Sequence, residues 1–288
     1  MTPAQLIILV LRVSVVAMVF AIGLGVSLGD LIGLVRRPGL LVRSLISIFL
    51  VMLVAAVSVA KIAILPHPVE IVIVALALAP IPPLLPKKQG KAGGEASYIY
   101  GLLVAAALFA IVWIPLGIAF VSRIAGAPLS TGLSDVIKIV VVLIVAPLAA
   151  GAIVARYAPA FAERIRATIA RLASLVLLAG IALIFARTWR TILDLIGDGT
   201  LLAMAGFVLV GLVSGQLLGG PRAEDRSVLA LATASRHPGI ALYLASHNFP
   251  QEKAVLAAVL LYLLVSTLLA LPYVAWRRRG GAASLLEA

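Results

Sequence analysis

Between residues 229 and 248 an apolar run long enough to cross a bilayer is interrupted near its middle by Arg236, His237, Pro238 and Gly239. No other feature constrains the fold as strongly. A guanidinium is costly in hydrocarbon, and a Pro-Gly pair breaks a helix where the freed N–H and C=O groups find no water. Such a break is tolerated only where protein or a water-filled cavity surrounds it. The stretch 231–240 therefore predicts a polar site inside the membrane. Its candidate substrate-binding residues are Thr233, Ser235, Arg236, His237, Pro238 and Gly239.

The rest of the chain supports a membrane setting. It is 63% hydrophobic and 12% charged, with a mean hydropathy of +1.20, whereas a soluble domain is nearer half apolar and a quarter charged. The fold class read from this is an all-α polytopic membrane protein. A net charge of +12 would suggest nucleic acid in a soluble chain. Here the basic residues fall in short loops and read as topology charge, so no nucleic-acid partner is expected. The absence of cysteine excludes disulfides, thiolate metal sites and cysteine nucleophiles. The first apolar run lacks a basic leader and exceeds a signal-peptide core, so it reads as a retained span.

About nine spans are expected, near 5–28, 41–64, 69–95, 97–121, 136–154, 167–187, 199–218, 229–248 and 254–275. Of the 23 Lys and Arg, fifteen lie in the loops of one side, five (Lys61, Arg123, Arg187, Arg190, Lys253) on the other, and three (Arg12, Lys138, Arg236) within spans. By the positive-inside rule the N-terminus is outside and the C-terminus cytoplasmic in a multi-pass inner-membrane protein.

The third span is interrupted like the eighth, by Pro80, Pro82, Pro83 and Pro86. Each is followed by a span with one late proline: Pro115 lies 35 residues after Pro80, and Pro272 lies 34 after Pro238. Spans one to four then match spans six to nine in opposite orientation. The first repeat covers 5–121, one helix short, and the second covers 136–276. Inverted repeats with paired broken helices describe a secondary transporter whose site lies between the breaks. Each half of the third span is roughly 18 Å long at 1.5 Å per residue, which puts its break near the midplane. Pro80, Pro82, Pro83, Lys87 and Lys88 thereby join the substrate-binding candidates, although the two lysines also read as cytoplasmic topology charges.

Arg236 lies too deep for easy snorkelling and needs a partner. All eleven carboxylates fall at span edges, in loops or at the C-terminus. The partner is then either a set of helix-end carbonyls or an anionic substrate. His237 is a candidate proton carrier or a helix-break histidine. Glu95 reads as a solvated loop acid, with Lys91 as an alternative partner. Arg12 is expected to pack inward or reach the interface. His67, His237 and His247 are too scattered for a metal site, and no catalytic constellation or cofactor loop is present.

These features resemble the bile acid:sodium symporter superfamily over nearly the whole length. The carrying stretches are 23–38 (GLGVSLGDLIGLVRRP), 79–97 (APIPPLLPKKQGKAGGEAS) and 232–241 (ATASRHPGIA). The resemblance implies panel helices at about 5–28 and 136–187, and core helices at about 41–121 and 199–276, with both crossing helices in the core. It implies transport of small organic anions by alternating access. The departures are specific. The family's sodium ligands on the second crossing fall on Ala232 and Arg236, those of the first on Leu85 and Pro86, and a preceding glutamine near Ile48; the hydroxyls of the next span are missing from 101–121. Sodium is thus possible by resemblance and disfavoured by the residues present. The functional reading is a carrier of a small organic anion in which Arg236 replaces a sodium or binds substrate. The alternative is a non-transporting sensor or scaffold with the same fold.

Overall fold

The structure is a computed structural model that describes residues 3–126 and 128–284. Among these residues it is built of helices without strands. They are α1 (Pro3–Gly23), α2 (Leu28–Gly33), α3 (Pro38–Ile62), α4 (His67–Leu78), α5 (Leu85–Lys91), α6 (Ala96–Ala125), α7 (Leu133–Tyr157), α8 (Pro159–Asp194), α9 (Thr200–Leu218), α10 (Ala223–Ala234), α11 (Pro238–Asn248) and α12 (Val255–Ser284). Six of them (α3, α6, α7, α8, α9 and α12) are long and apolar enough to cross a membrane. The protein is a polytopic all-α membrane protein.

Proline sets many of the boundaries. It stands in the first turn of α3, α4, α5, α8 and α11, where its missing N–H is no loss. Pro115 and Pro272 instead lie inside α6 and α12. α6 ends at Gly126 with φ +64°, the left-handed turn that glycine allows and that closes the last carbonyls. The first span is shorter than expected. α1 stops at Gly23, and a turn leads into the separate helix α2. Gly25, within that turn, has Arg166 side-chain atoms where a Cβ would lie.

Small residues let helices close on one another. Gly211, Gly215 and Gly219 recur every fourth position along and just past α9. A Cβ on them would stand 2.8, 2.4 and 2.5 Å from the Cα atoms of Ala234, Ala230 and Arg226 of α10. Close backbone approach is what such stripes provide where lipid gives helices no hydrophobic reason to associate. Likewise, a Cβ on Gly23 would meet the Leu148 carbonyl at 2.3 Å, and one on Gly151 the Phe20 carbonyl at 2.3 Å, fixing the α1–α7 crossing.

α1 packs on α7 and α8, with a small apolar cluster of Met18, Ala173 and Leu177 between α1 and α8. The larger core joins α3 to α6 with α9 to α12, and reaches α7 through Val136, Val140 and Ile144, and α8 and its C-cap through Ile192 and Leu195.

Candidate functional site

Both interrupted spans are broken where expected. The chain between α4 and α5 is extended at Ala79, and that between α10 and α11 is extended at Ser235 and His237. Ala79 and His237 each precede a proline, whose ring excludes the helical conformation from the residue before it. α4 packs against α11, and α5 against α10. The first half of one broken span therefore lies against the second half of the other, which is an antiparallel crossing.

The two breaks are bonded together. The His237 N–H donates to the Pro80 carbonyl at 2.8 Å. Arg236 is 1% exposed. Its Nη1 donates to the Ala79 carbonyl at 3.4 Å, and its Nη2 donates to the Ile48 carbonyl. Ala79 is the C-cap of α4, where helix carbonyls lack partners and carry partial negative charge. Ile48 lies in the π-helical stretch Ile46–Val51 of α3, a wider turn that displaces the usual backbone pairing. The guanidinium is thus held by carbonyls from two other helices. The carbonyl set is one of the two partners left open by the sequence.

Supporting residues surround this contact. The Tyr262 hydroxyl donates to the Ala234 carbonyl at 2.8 Å and caps the end of α10. His237 Nδ1 accepts from the Ile240 N–H at 3.3 Å and caps the start of α11. With Nδ1 accepting, a neutral ring has its proton on Nε2. That atom and Arg236 Nε are buried without a hydrogen-bond partner. Ser47 in the π stretch shares hydroxyl bonds with Thr233 (2.9 Å) and Ser214 (3.3 Å). Buried Gln89 donates to the Val228 carbonyl at 2.8 Å, tying α5 to α10.

The candidate residues divide by exposure. Arg236, His237, Thr233, Pro80 and Pro83 are buried; Pro82, Lys88, Ser235 and Pro238 are half-buried; Lys87 and Gly239 are exposed. Lys87 and Lys88 have no hydrogen-bond or ion-pair partner among the described residues. Glu95 bonds Ser97 Oγ (2.7 Å) and Arg37 (3.4 Å) rather than Lys91. Arg37 also pairs with the buried Asp225 and lies 5.8 Å over the Tyr98 ring. Arg12 is exposed. Among the described residues no group of three or more His, Asp or Glu is placed to hold a metal ion.

The sequence did not single out Tyr262, Gln89 or the π stretch. Tyr262 and Gln89 stand alone in apolar or basic surroundings, and a π turn has no residue signature. The four-residue glycine spacing of α9 was a legible signal.

The model of the sodium bile acid symporter family matches residues 12–195. The chain belongs to that family. Its members are transporters rather than enzymes, and a small organic substrate follows from membership. The matched stretch contains the first crossing helix and ends before the second. No curated protein matches the chain.

Proposed function

We propose that this family member carries a small organic anion by alternating access, and that the Arg236 guanidinium takes the place of a coupled sodium. The carrying observation is the position of that guanidinium, buried between the breaks and bonded to the carbonyls of Ala79 and Ile48. Carbonyl oxygens at a helix end and a π turn are what a cation would use there. A fixed cation already on them leaves sodium neither ligands nor charge balance. Ala232, Leu85 and Pro86 add no side-chain oxygen. In this reading Arg236 holds the crossing together, and the substrate contacts the less buried rim of Pro82, Ser235, Pro238, Gly239, Lys87 and Lys88. α1, α7 and α8 form the panel against which the remaining helices, the core, move. The arginine-rich loops are cytoplasmic.

The test is uptake into proteoliposomes, with a bile acid and a panel of small carboxylates as probes. Replacing sodium with choline leaves the rate unchanged, whereas a steep sodium dependence with a Hill slope above one refutes the substitution. Arg236→Ala abolishes uptake, and Arg236→Lys, with its single compact head, retains only part. Full uptake by Arg236→Ala removes the role assigned to this residue. Saturable binding without flux for any probe returns the reading to the sensor or scaffold.

A further inference from the structure

The turn between α9 and α10 gathers arginines from three helices that cross the membrane at different places. Arg43 of α3 lays its guanidinium over Gly220, whose φ of +86° turns the chain; a Cβ there would stand 3.4 Å from Arg43 Nη2. Arg43 Nε donates to the Gly39 carbonyl at 3.0 Å. Arg226 of α10 donates through Nε to the Gly220 carbonyl at 2.7 Å. Arg277 of α12 donates through Nε to Ser227 Oγ at 2.6 Å and through Nη2 to the Ala223 carbonyl at 2.7 Å. Arg222 stands exposed at the N-cap of α10.

None of these four makes an ion pair among the described residues. Of the two acids in the first turn of α10, Asp225 is engaged by Arg37, while Glu224 is exposed and unpaired. Arg43 and Arg226 are anchored through Nε alone, which leaves their Nη groups available as forks. That is the geometry that receives two phosphate oxygens at once. Topology charge needs no such anchoring, because a solvated arginine satisfies the positive-inside rule in any rotamer. The flanks are apolar and outward-facing: Val42 beside Arg43 is 54% exposed, and Leu217 at the end of α9 is 76% exposed. A phosphate between the forks would thus have hydrocarbon directly below it.

We propose that the turn at Gly219–Gly220 binds the phosphodiester of an anionic phospholipid, held by Arg43 and Arg226, with its acyl chains along Val42 and Leu217. Arg222 and Arg277 complete the positive field, and Glu224 opposes it in part. The site bridges α3 to α10, so the lipid braces one crossing half-helix against the helix that carries the π stretch.

The experiment uses the full chain in a neutral detergent and reads the unfolding midpoint. Added phosphatidylglycerol raises it by about 3 °C at saturation; phosphatidylcholine and inorganic phosphate at equal phosphate concentration do not. The double variant Arg43→Gln/Arg226→Gln loses the rise, and Arg278→Gln/Arg279→Gln, which removes the same charge elsewhere, keeps it. Equal shifts with both lipids, or an equal shift with inorganic phosphate, overturn the proposal on the wild-type protein alone. Equal loss in both double variants reduces the effect to net charge and also overturns it.

Discussion

At the scale of single residues, the crossing shows how a buried cation is accommodated without a carboxylate. Arg236 and His237 were legible as unusual because each is expensive in an apolar span. What they bond was not legible, because backbone carbonyls leave no trace in a sequence and a π turn has no composition of its own. His237 has two tasks in the structure. Its N–H joins the breaks through the Pro80 carbonyl, which any residue other than proline could do, and its Nδ1 caps α11. Only the second depends on the side chain. His237→Ala is therefore expected to destabilise the fold by about 1 kcal/mol, the usual cost of losing an N-cap, and His237→Asn to recover most of it. Thermal unfolding of both variants in the same detergent checks this. Equal losses for Ala and Asn would show that the imidazole matters for something other than capping. Arg37 gives a second residue-level test. Asp225 is 1% exposed and takes its charge partner from Arg37. Arg37→Ala strands a buried carboxylate, whereas Asp225→Asn leaves a partly exposed guanidinium that can turn to water. The arginine variant is expected to lose about 1.5–3 kcal/mol and the asparagine variant less, as measured by denaturant or thermal unfolding.

At the scale of elements, the glycine stripe of α9 matters more than its bland composition suggests. The helix carries four glycines in Thr200–Leu218 and the residue after it that the structure distinguishes sharply. A Cβ on Gly215 would stand 2.4 Å from the Ala230 Cα, and nothing lies within 4 Å of one on Gly206. Gly215→Ala must push α10 away, and with it Thr233, Ala234 and the arm that presents Arg236. Gly206→Ala meets open space and gains helix propensity. The expected outcome is loss of monodisperse folded protein by fluorescence-detected size exclusion for Gly215→Ala, with Gly206→Ala as stable as wild type or more so. Similar profiles for the two would mean that α9 and α10 pack more loosely than this. Most of the elements were readable beforehand, from apolar spans of sufficient length, the proline cluster at 80–86 and the Pro238-Gly239 pair. The first span was drawn too long because 24–28 remains apolar. The restart was readable in Ser27 and Asp30, which cap the next helix reciprocally: the Ser27 N–H donates to Asp30 Oδ2 at 3.0 Å and the Asp30 N–H to Ser27 Oγ at 3.1 Å.

At the scale of the whole molecule, α7 and α8 reach the main core through a few buried apolar residues. The fully buried ones are Val136, Val140 and Ile144 of α7, Ile192 of α8 and its C-cap Leu195, with Ile139, Leu143, Val145, Ile181, Ile184 and Phe185 partly buried beside them. Val136, Val140, Ile192 and Leu195 lie toward the N-terminus of α7 and the C-terminus of α8, and Ile144 lies at the middle of α7. Near there Ile139 and Val140 line a small cavity with Ile114, Ile240 and Tyr243, and Asn248 accepts a hydrogen bond from the Ser130 N–H, just before α7, at 2.8 Å. Toward the arginine-rich end, Leu148, Ala152 and Ala162 are buried, but they lie outside the main core cluster, where α1 and α7 cross. On the proposed alternating-access reading, the apolar packing around Ile139 and Val140 would close the end away from the arginine-rich loops. The absence of cysteine from the chain makes the matching measurement clean. Single cysteines at Gly239 and at Ile139 are compared for labelling by a membrane-impermeant maleimide, in right-side-out and inside-out vesicles. Gly239→Cys, exposed at the rim of the crossing, is expected to label from the arginine-rich side only. Ile139→Cys, within the apolar seal, is expected to resist labelling from both sides until substrate drives the opposite state. Labelling of Gly239→Cys from the other side would reverse either the orientation or the facing, and labelling of Arg278→Cys in the same vesicles decides which, because it reports orientation alone.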